Sequence, residues 1–232
     1  MSQWVFEPEP PTSLVIEGSE LLFPVRRVYC VGRNYAEHAK EMGHSGREAP
    51  FFFTKPANAI VQIPAHREGL IKYPPKTKSL HHELELVAAL GSGGTNLSVK
   101  EAEQAIWGYA IGLDLTRRDL QSQAKEKGRP WDVAKAFDQS APMSTLYPRS
   151  YTGLLNTGLI FLDVNGVRRQ QGDLSDMIWS TAECIAELST YFELKPGDLL
   201  MTGTPSGVDV LLPNDHIVAS IEGLGQLSFR MQ

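Results

Sequence analysis

The chain has 232 residues, 42% of them hydrophobic and 21% charged, with 22 Lys and Arg against 27 Asp and Glu for a formal charge of -5. This composition excludes a disordered, collagen-like or disulfide-dense chain, favours one compact core, and gives no electrostatic footprint for a nucleic acid or an acidic membrane surface. Cys30 and Cys184 lack zinc or CxxC spacing and read as reduced core thiols; with no leader pattern and no run near the roughly 18 apolar residues of a membrane span, a soluble cytoplasmic protein without a cleaved signal is expected.

In chain order, Glu7-Pro8-Glu9-Pro10-Pro11 favours an extended peripheral arm, so residues 1–22 are read as an arm or extra strand ahead of a single domain over 23–232. Short β-branched and aromatic runs, Arg27 to Val31, Phe51 to Thr54 and Ala59 to Val61, predict strands broken by Gly or Pro. Between the first two, Asn34 is placed to cap a short helix that Gly43 stops. His38 and Glu41 stand three apart on it. That spacing lets a carboxylate orient an imidazole and raise its basicity, as a general base requires, and it equally describes a surface pair.

From His82 to Leu90 the chain alternates, so Glu83, Glu85 and Val87 share one face of a strand and Leu84, Leu86 and Ala88 the other. Two like charges on one face suit either solvent or a cation. The strand Tyr109 to Leu115 carries Ala110, Gly112 and Asp114 on one face. Those small residues are expected to leave room for a ligand, and a third carboxylate there would complete an all-oxygen set suited to Mg²⁺ or Mn²⁺ rather than zinc. Asp114 reads equally as a helix cap, because Thr116 and Asp119 have capping spacing ahead of a helix that runs to about Lys127 before Gly128. Arg118 and Gln121 lie one turn apart on that helix, suited to holding an anion and orienting a water, or to an exposed amphipathic face.

Lys135 sits among apolar residues, which is costly unless it meets an anion or snorkels to solvent. Ser98 with Glu101 and Ser180 with Glu183 have capping-box spacing; Ile185, Leu188 and Phe192 continue the second helix until Lys195-Pro196-Gly197-Asp198 ends it. The stretch Met201 to Val208 then leaves a strand into a Gly- and hydroxyl-rich loop whose N–H groups can face a carboxylate.

Taken in this order, Gly32-Arg33-Asn34-Tyr35 with His38 and Glu41, His82-Glu83-Leu84-Glu85, Asp114 with Arg118 and Gln121, Lys135, and Thr202-Gly203-Thr204-Pro205 resemble the fumarylacetoacetate hydrolase family from about Tyr29 to the C-terminus. The resemblance implies an α+β, strand-rich catalytic domain, with mixed sheets rolled around a metal site and a few short helices, assembled as a homodimer. It implies Glu83, Glu85 and Asp114 as Mg²⁺ or Mn²⁺ ligands, His38 and Glu41 on a lid, Lys135 as a catalytic cation, and Arg33, Tyr35, Arg118, Gln121 and Thr204 around a small dicarboxylic oxo acid. The implied reaction is C–C hydrolysis of a 2,4-dioxo acid such as fumarylpyruvate, in gentisate-type aromatic catabolism, for whose distal carboxylate Arg47, in the stretch Gly43-His44-Ser45-Gly46-Arg47, is a candidate cation that a lid would carry inward. Hydrolysis of another acylpyruvate, decarboxylation of oxaloacetate, and metal-dependent acid binding without catalysis remain open. The chain lacks room for the extra N-terminal domain of longer fumarylacetoacetases, so fumarylacetoacetate itself is not the expected substrate.

Overall fold

The computed structural model describes residues 4–35 and 48–232. Numbered in chain order, its strands are β1 (Ser13–Val15), β2 (Leu22–Pro24), β3 (Arg27–Gly32), β4 (Phe51–Lys55), β5 (Ile60–Gln62), β6 (Glu68–Ile71), β7 (Leu80–His81), β8 (Leu84–Leu90) and β9 (Ile106–Leu113). There follow β10 (Thr116–Arg117), β11 (Ala141–Met143), β12 (Tyr147–Pro148), β13 (Leu159–Val164), β14 (Val167–Asp173), β15 (Asp198–Met201), β16 (Val210–Leu211), β17 (His216–Ile221) and β18 (Gln226–Met231). Two mixed sheets dominate: β4-β3-β15-β8-β9-β11-β5, with β12 paired to β9, and β14-β13-β17-β18-β6. Helices are few and short, as expected of a strand-rich α+β chain, and among the described residues none is long and apolar enough to cross a membrane.

The central strand β8 is buried on both faces, which is why it reads as a nearly continuous apolar run. Leu84, Leu86 and Ala88 join Tyr109, Ile111 and Leu113 of β9 in a core shared with the five-stranded sheet, while Val87 and Ala89 pack with Cys30, Met143 and Met201 under the β1–β2 hairpin. Both cysteines are buried and unpaired. The space over Gly112 is not kept for a ligand, as its small neighbours suggested. A Cβ there would stand 2.6 Å from Val87 Cγ2 and 3.2 Å from Met201 Cε, so side chains of the core fill it.

The alternating segment is also less regular than its pattern. β7 ends at His81 and β8 begins at Leu84, leaving His82 and Glu83 at a break between two sheets. Both predicted capping boxes form, on the helices Val99–Ala105 and Thr181–Tyr191. The box expected at Thr116 and Asp119 does not: Thr116 belongs to β10 and donates to the Asp114 carbonyl, and Asp119 accepts from Thr77 Oγ1 (2.7 Å) and Lys78 N (2.9 Å). Tertiary partners outcompete the local cap, and the helix starts at Arg118. Phe192 likewise lies beyond the second helix, its ring against Tyr29.

Ser180→Ala removes the side-chain acceptor for the Glu183 N–H. It should cost about 1 kcal/mol, lowering the thermal midpoint by about 2–4 °C in a chain of this size; an unchanged midpoint by circular dichroism would show that the box adds nothing.

Candidate active site

β8 and β9 run antiparallel with Leu84 opposite Leu113 and Glu85 opposite Gly112, so the start of one strand and the end of the other carry their acids to the same place. Glu83 precedes β8, Glu85 is its second residue, and Asp114 follows β9, with the Asp114 N–H donating to the Glu83 carbonyl at 2.8 Å. One oxygen from each carboxylate lies within 4.8 Å of the others, and all three residues are buried. Glu83 and Glu85 are only 6% and 2% exposed, which discards the solvated-face alternative.

Among the described residues, three cations come to this cluster from separate elements. Lys135, on the short helix Asp132–Lys135, donates to Glu83 Oε2 at 2.7 Å and to Asp114 Oδ2 at 2.5 Å, so the anion its apolar setting demanded is a pair of carboxylates. Lys55, at the end of β4, lies 2.8 Å from Asp114 Oδ1 and donates to the backbone carbonyls of Leu115 and Lys135. Arg118 reaches Glu83 because β10 pairs with β7, which leads directly into His82 and Glu83; its guanidinium also donates to Gln121 at 2.5 Å.

Burial alone would raise the Glu83 pKa, but Lys135 and Arg118 outweigh it and hold the carboxyl below its usual range. Burial likewise opposes the charge of Lys135, and Asp114 and Glu83 overcome it to hold the ammonium above the ordinary lysine value. Glu85 differs. Burial, then the charges of Asp114 and Glu83, push it well above the carboxylate range, and its hydrogen bond is a backbone one, from Gly203 N at 2.8 Å. A buried, all-oxygen set in which one carboxylate forms no ion pair among the described residues fits a hard divalent ion such as Mg²⁺ or Mn²⁺.

Two buried amides hold the loops that complete the site. Asn34, whose expected helix lies outside the described residues, donates from Nδ2 to the carbonyls of Trp179 (2.8 Å) and Thr202 (2.9 Å) and accepts from Trp179 N (2.8 Å). Gly203, at φ +94°, passes so close that a Cβ would stand 2.8 Å from Asn34 Cβ. Gln170 of β14 accepts from Leu84 N and donates to Thr204 Oγ1 (2.7 Å) and Pro205 O (2.9 Å), with His82 Nδ1 at 2.8 Å. It joins the strand that carries the acids to the 202–205 loop.

The acids open into a cleft also lined by Arg33, Arg118, Gln121, Lys125, Lys135 and Thr204 and by the rings of Phe51, Phe53 and Trp131. Arg33 stands at the rim in a left-handed conformation (φ 59°). Tyr35 is buried, bridges to Met177 and does not line the cleft. His38, Glu41 and Arg47 lie outside the described residues. Sequence reasoning missed Lys55, Lys125 and Gln170. Lys55 had a signal, since a lysine in the run Phe51-Phe52-Phe53-Thr54-Lys55 invites the same question as Lys135; Gln170, amid Arg168-Arg169-Gln170-Gln171, had none.

Fold and site together define a strand-rich α+β protein with a hard-cation centre at the end of a mixed sheet. The family profile described as "Fumarylacetoacetate (FAA) hydrolase C-terminal" matches residues 27–232, and the chain belongs to the fumarylacetoacetate hydrolase family. It is 42% identical over 181 residues to a fumarylpyruvate hydrolase of a Ralstonia species (78% of this chain, 92% of the relative). It is 41% identical over 208 residues to an oxaloacetate tautomerase of Escherichia coli (89% and 93%). The crystal structure of fumarylpyruvate hydrolase from Pseudomonas aeruginosa in complex with Mn²⁺ and pyruvate superposes with a TM-score of 0.97 at 52% identity, covering 99% of both chains.

Glu85→Gln keeps an acceptor for the Gly203 N–H but removes the charge. Mn²⁺ affinity by calorimetry should fall by about 100-fold or more, while the metal-free melting midpoint should not drop, because burial and the neighbouring acids already disfavour the ionised form of Glu85. Undiminished affinity would remove Glu85 from the ligand set.

Proposed function

We propose that this chain is a divalent-metal-dependent hydrolase that cleaves the C–C bond of a 2,4-dioxo acid, with fumarylpyruvate yielding fumarate and pyruvate. The observation that carries the reading is the meeting of Glu83, Glu85 and Asp114 within one cleft, with Lys135 bridging Glu83 and Asp114. Likeness to the Mn²⁺ and pyruvate complex of the Pseudomonas aeruginosa enzyme supports it.

Glu83, Glu85 and Asp114 are the residues to hold Mg²⁺ or Mn²⁺, which when bound supplies a fixed positive centre for the oxygens of the pyruvyl half. His38, oriented by Glu41, takes a proton from water, whose oxygen adds to the fumaryl carbonyl. As the C–C bond breaks, its electron pair passes to the pyruvyl carbon as an enolate. The ammonium of Lys135 faces that developing charge, and protonation of the carbon gives pyruvate. Arg118 and Gln121 position the carboxylate and the water, and Thr204 presents its hydroxyl from a loop held by Gln170. In this reading the protein works as a cytoplasmic homodimer in aromatic catabolism, with a small dicarboxylic oxo acid and neither nucleic acid nor membrane as partner, in keeping with its charge of -5.

A second reading, action on oxaloacetate at the same centre, is favoured by the 41% identity to the Escherichia coli tautomerase. That chemistry needs the electron sink but no attacking water. Ultraviolet loss of the enol, with fumarate assayed as product, separates the two when fumarylpyruvate and oxaloacetate are run side by side. EDTA should abolish turnover and Mn²⁺ restore it; EDTA-insensitive traces would end the metal-dependent reading. Exclusive turnover of oxaloacetate would select the second.

His38→Ala should lower kcat for fumarylpyruvate by about 10²–10⁴-fold while leaving Mn²⁺ affinity nearly intact. Undiminished turnover in that variant would remove the dyad from the reaction.

A further inference from the structure

The cleft leaves the acids along an aromatic wall. Lys135 Nζ lies 4.9 Å from the centroid of Phe53; Phe53 in turn lies 5.9 Å from Trp131, whose ring meets Phe51 edge-on at 5.7 Å. The far end of the wall carries two cations that the chemistry above does not use. Lys125 Nζ stands 5.1 Å from the Trp131 centroid, and the Arg33 guanidinium 5.5 Å from that of Phe51.

The other three cations of the site are engaged with Glu83 and Asp114. Among the described residues no carboxylate forms an ion pair with Arg33 or Lys125, although both line the cleft and both are half-buried. Burial, then the charges of Arg118 and Arg33, push the Lys125 ammonium down to about 8. Two like charges sharing a rim over apolar rings repel each other until an anion joins them.

We propose that Lys125, together with Arg33, binds the distal carboxylate of the acyl half of the substrate, with Phe51, Phe53 and Trp131 receiving the flat chain in between. This rests on the proposed acylpyruvate reading and deepens it: the cleft selects planar acyl groups that end in a second carboxylate. A trans double bond conjugated to both carbonyl carbons keeps the chain flat against aromatic faces and carries its terminal charge outward from the acid cluster. An ammonium and a guanidinium then meet a single carboxylate, the latter able to form a paired hydrogen bond. Lys125 is in this sense a specificity-determining residue, distinct from the groups that act on the scissile bond.

The test compares metal-loaded parent, Lys125→Met, Lys125→Gln and Lys125→Arg on fumarylpyruvate and on acetylpyruvate, which lacks the distal carboxylate. In the two neutral variants the kcat/KM ratio favouring fumarylpyruvate should fall about ten- to a hundredfold, chiefly through KM, and Lys125→Arg should recover most of it. An equal loss on both substrates would make Lys125 merely structural, and an unaltered ratio would make it a bystander; either overturns the proposal. Calorimetry with fumarate and crotonate, planar four-carbon acids that differ by one carboxylate, reads the same contact without turnover. The preference for fumarate should shrink in the neutral variants, and its persistence counts against the proposal. If the parent cleaves neither acylpyruvate yet prefers fumarate in a Lys125-dependent way, the hydrolase reading fails and the carboxylate site stands.

Discussion

Three carboxylates held out of water at one end of a sheet are the constraint on which this structure turns. A buried, ionised carboxylate is tolerable only when opposite charge and hydrogen bonds replace its hydration. Two of the three are provided for by side chains: Lys135 bridges Glu83 and Asp114, Lys55 lies on the far oxygen of Asp114, and Arg118 reaches the far oxygen of Glu83. Glu85 receives one backbone N–H and faces two like charges. That imbalance makes the centre receptive to a divalent cation and ties its occupancy to the energetics of the fold.

The same constraint explains how far apart in sequence the supporting residues are. Asn34 bonds to groups 145 and 168 residues away, and Gln170 spans from the first residue of β8 to the 204–205 loop. Such clasps fix the N–H of Gly203 and the hydroxyl of Thr204 relative to the acids, and both clasping amides are buried. The rim is different, with Arg33 and Lys125 half-buried over aromatic rings. One family holds both a fumarylpyruvate hydrolase and an oxaloacetate tautomerase at about the same identity to this chain, so membership by itself does not fix the substrate.

Particular elements show where pattern reasoning reached and where it stopped. Alternation placed Glu83 and Glu85 together, and the cost of an unpaired lysine among apolar neighbours marked Lys135. Ser98 and Ser180 capped their helices because both halves of a capping box lie within one turn and need no distant partner. Thr116 and Asp119 had the same spacing and failed, since the 77–78 loop offered Asp119 better partners. Gln170 escaped notice because its strand looks solvent-facing, yet its amide is fully buried between two loops.

The amino-acid sequence alone determined the chemical inventory: the strand-rich class, the acids and the lysine that need one another, and the family pattern linking them. Those properties follow from periodicity of two, from the cost of burying charge, and from short-range capping, all of which act within a few residues. Only the tertiary structure decided that Glu85 is the carboxylate without an ion pair among the described residues, that Asn34 and Gln170 clasp the loops, and that Lys125 shares a rim with Arg33. Each of these depends on which strands pair and which loops meet, and contacts between residues far apart in the chain leave no periodic trace in it.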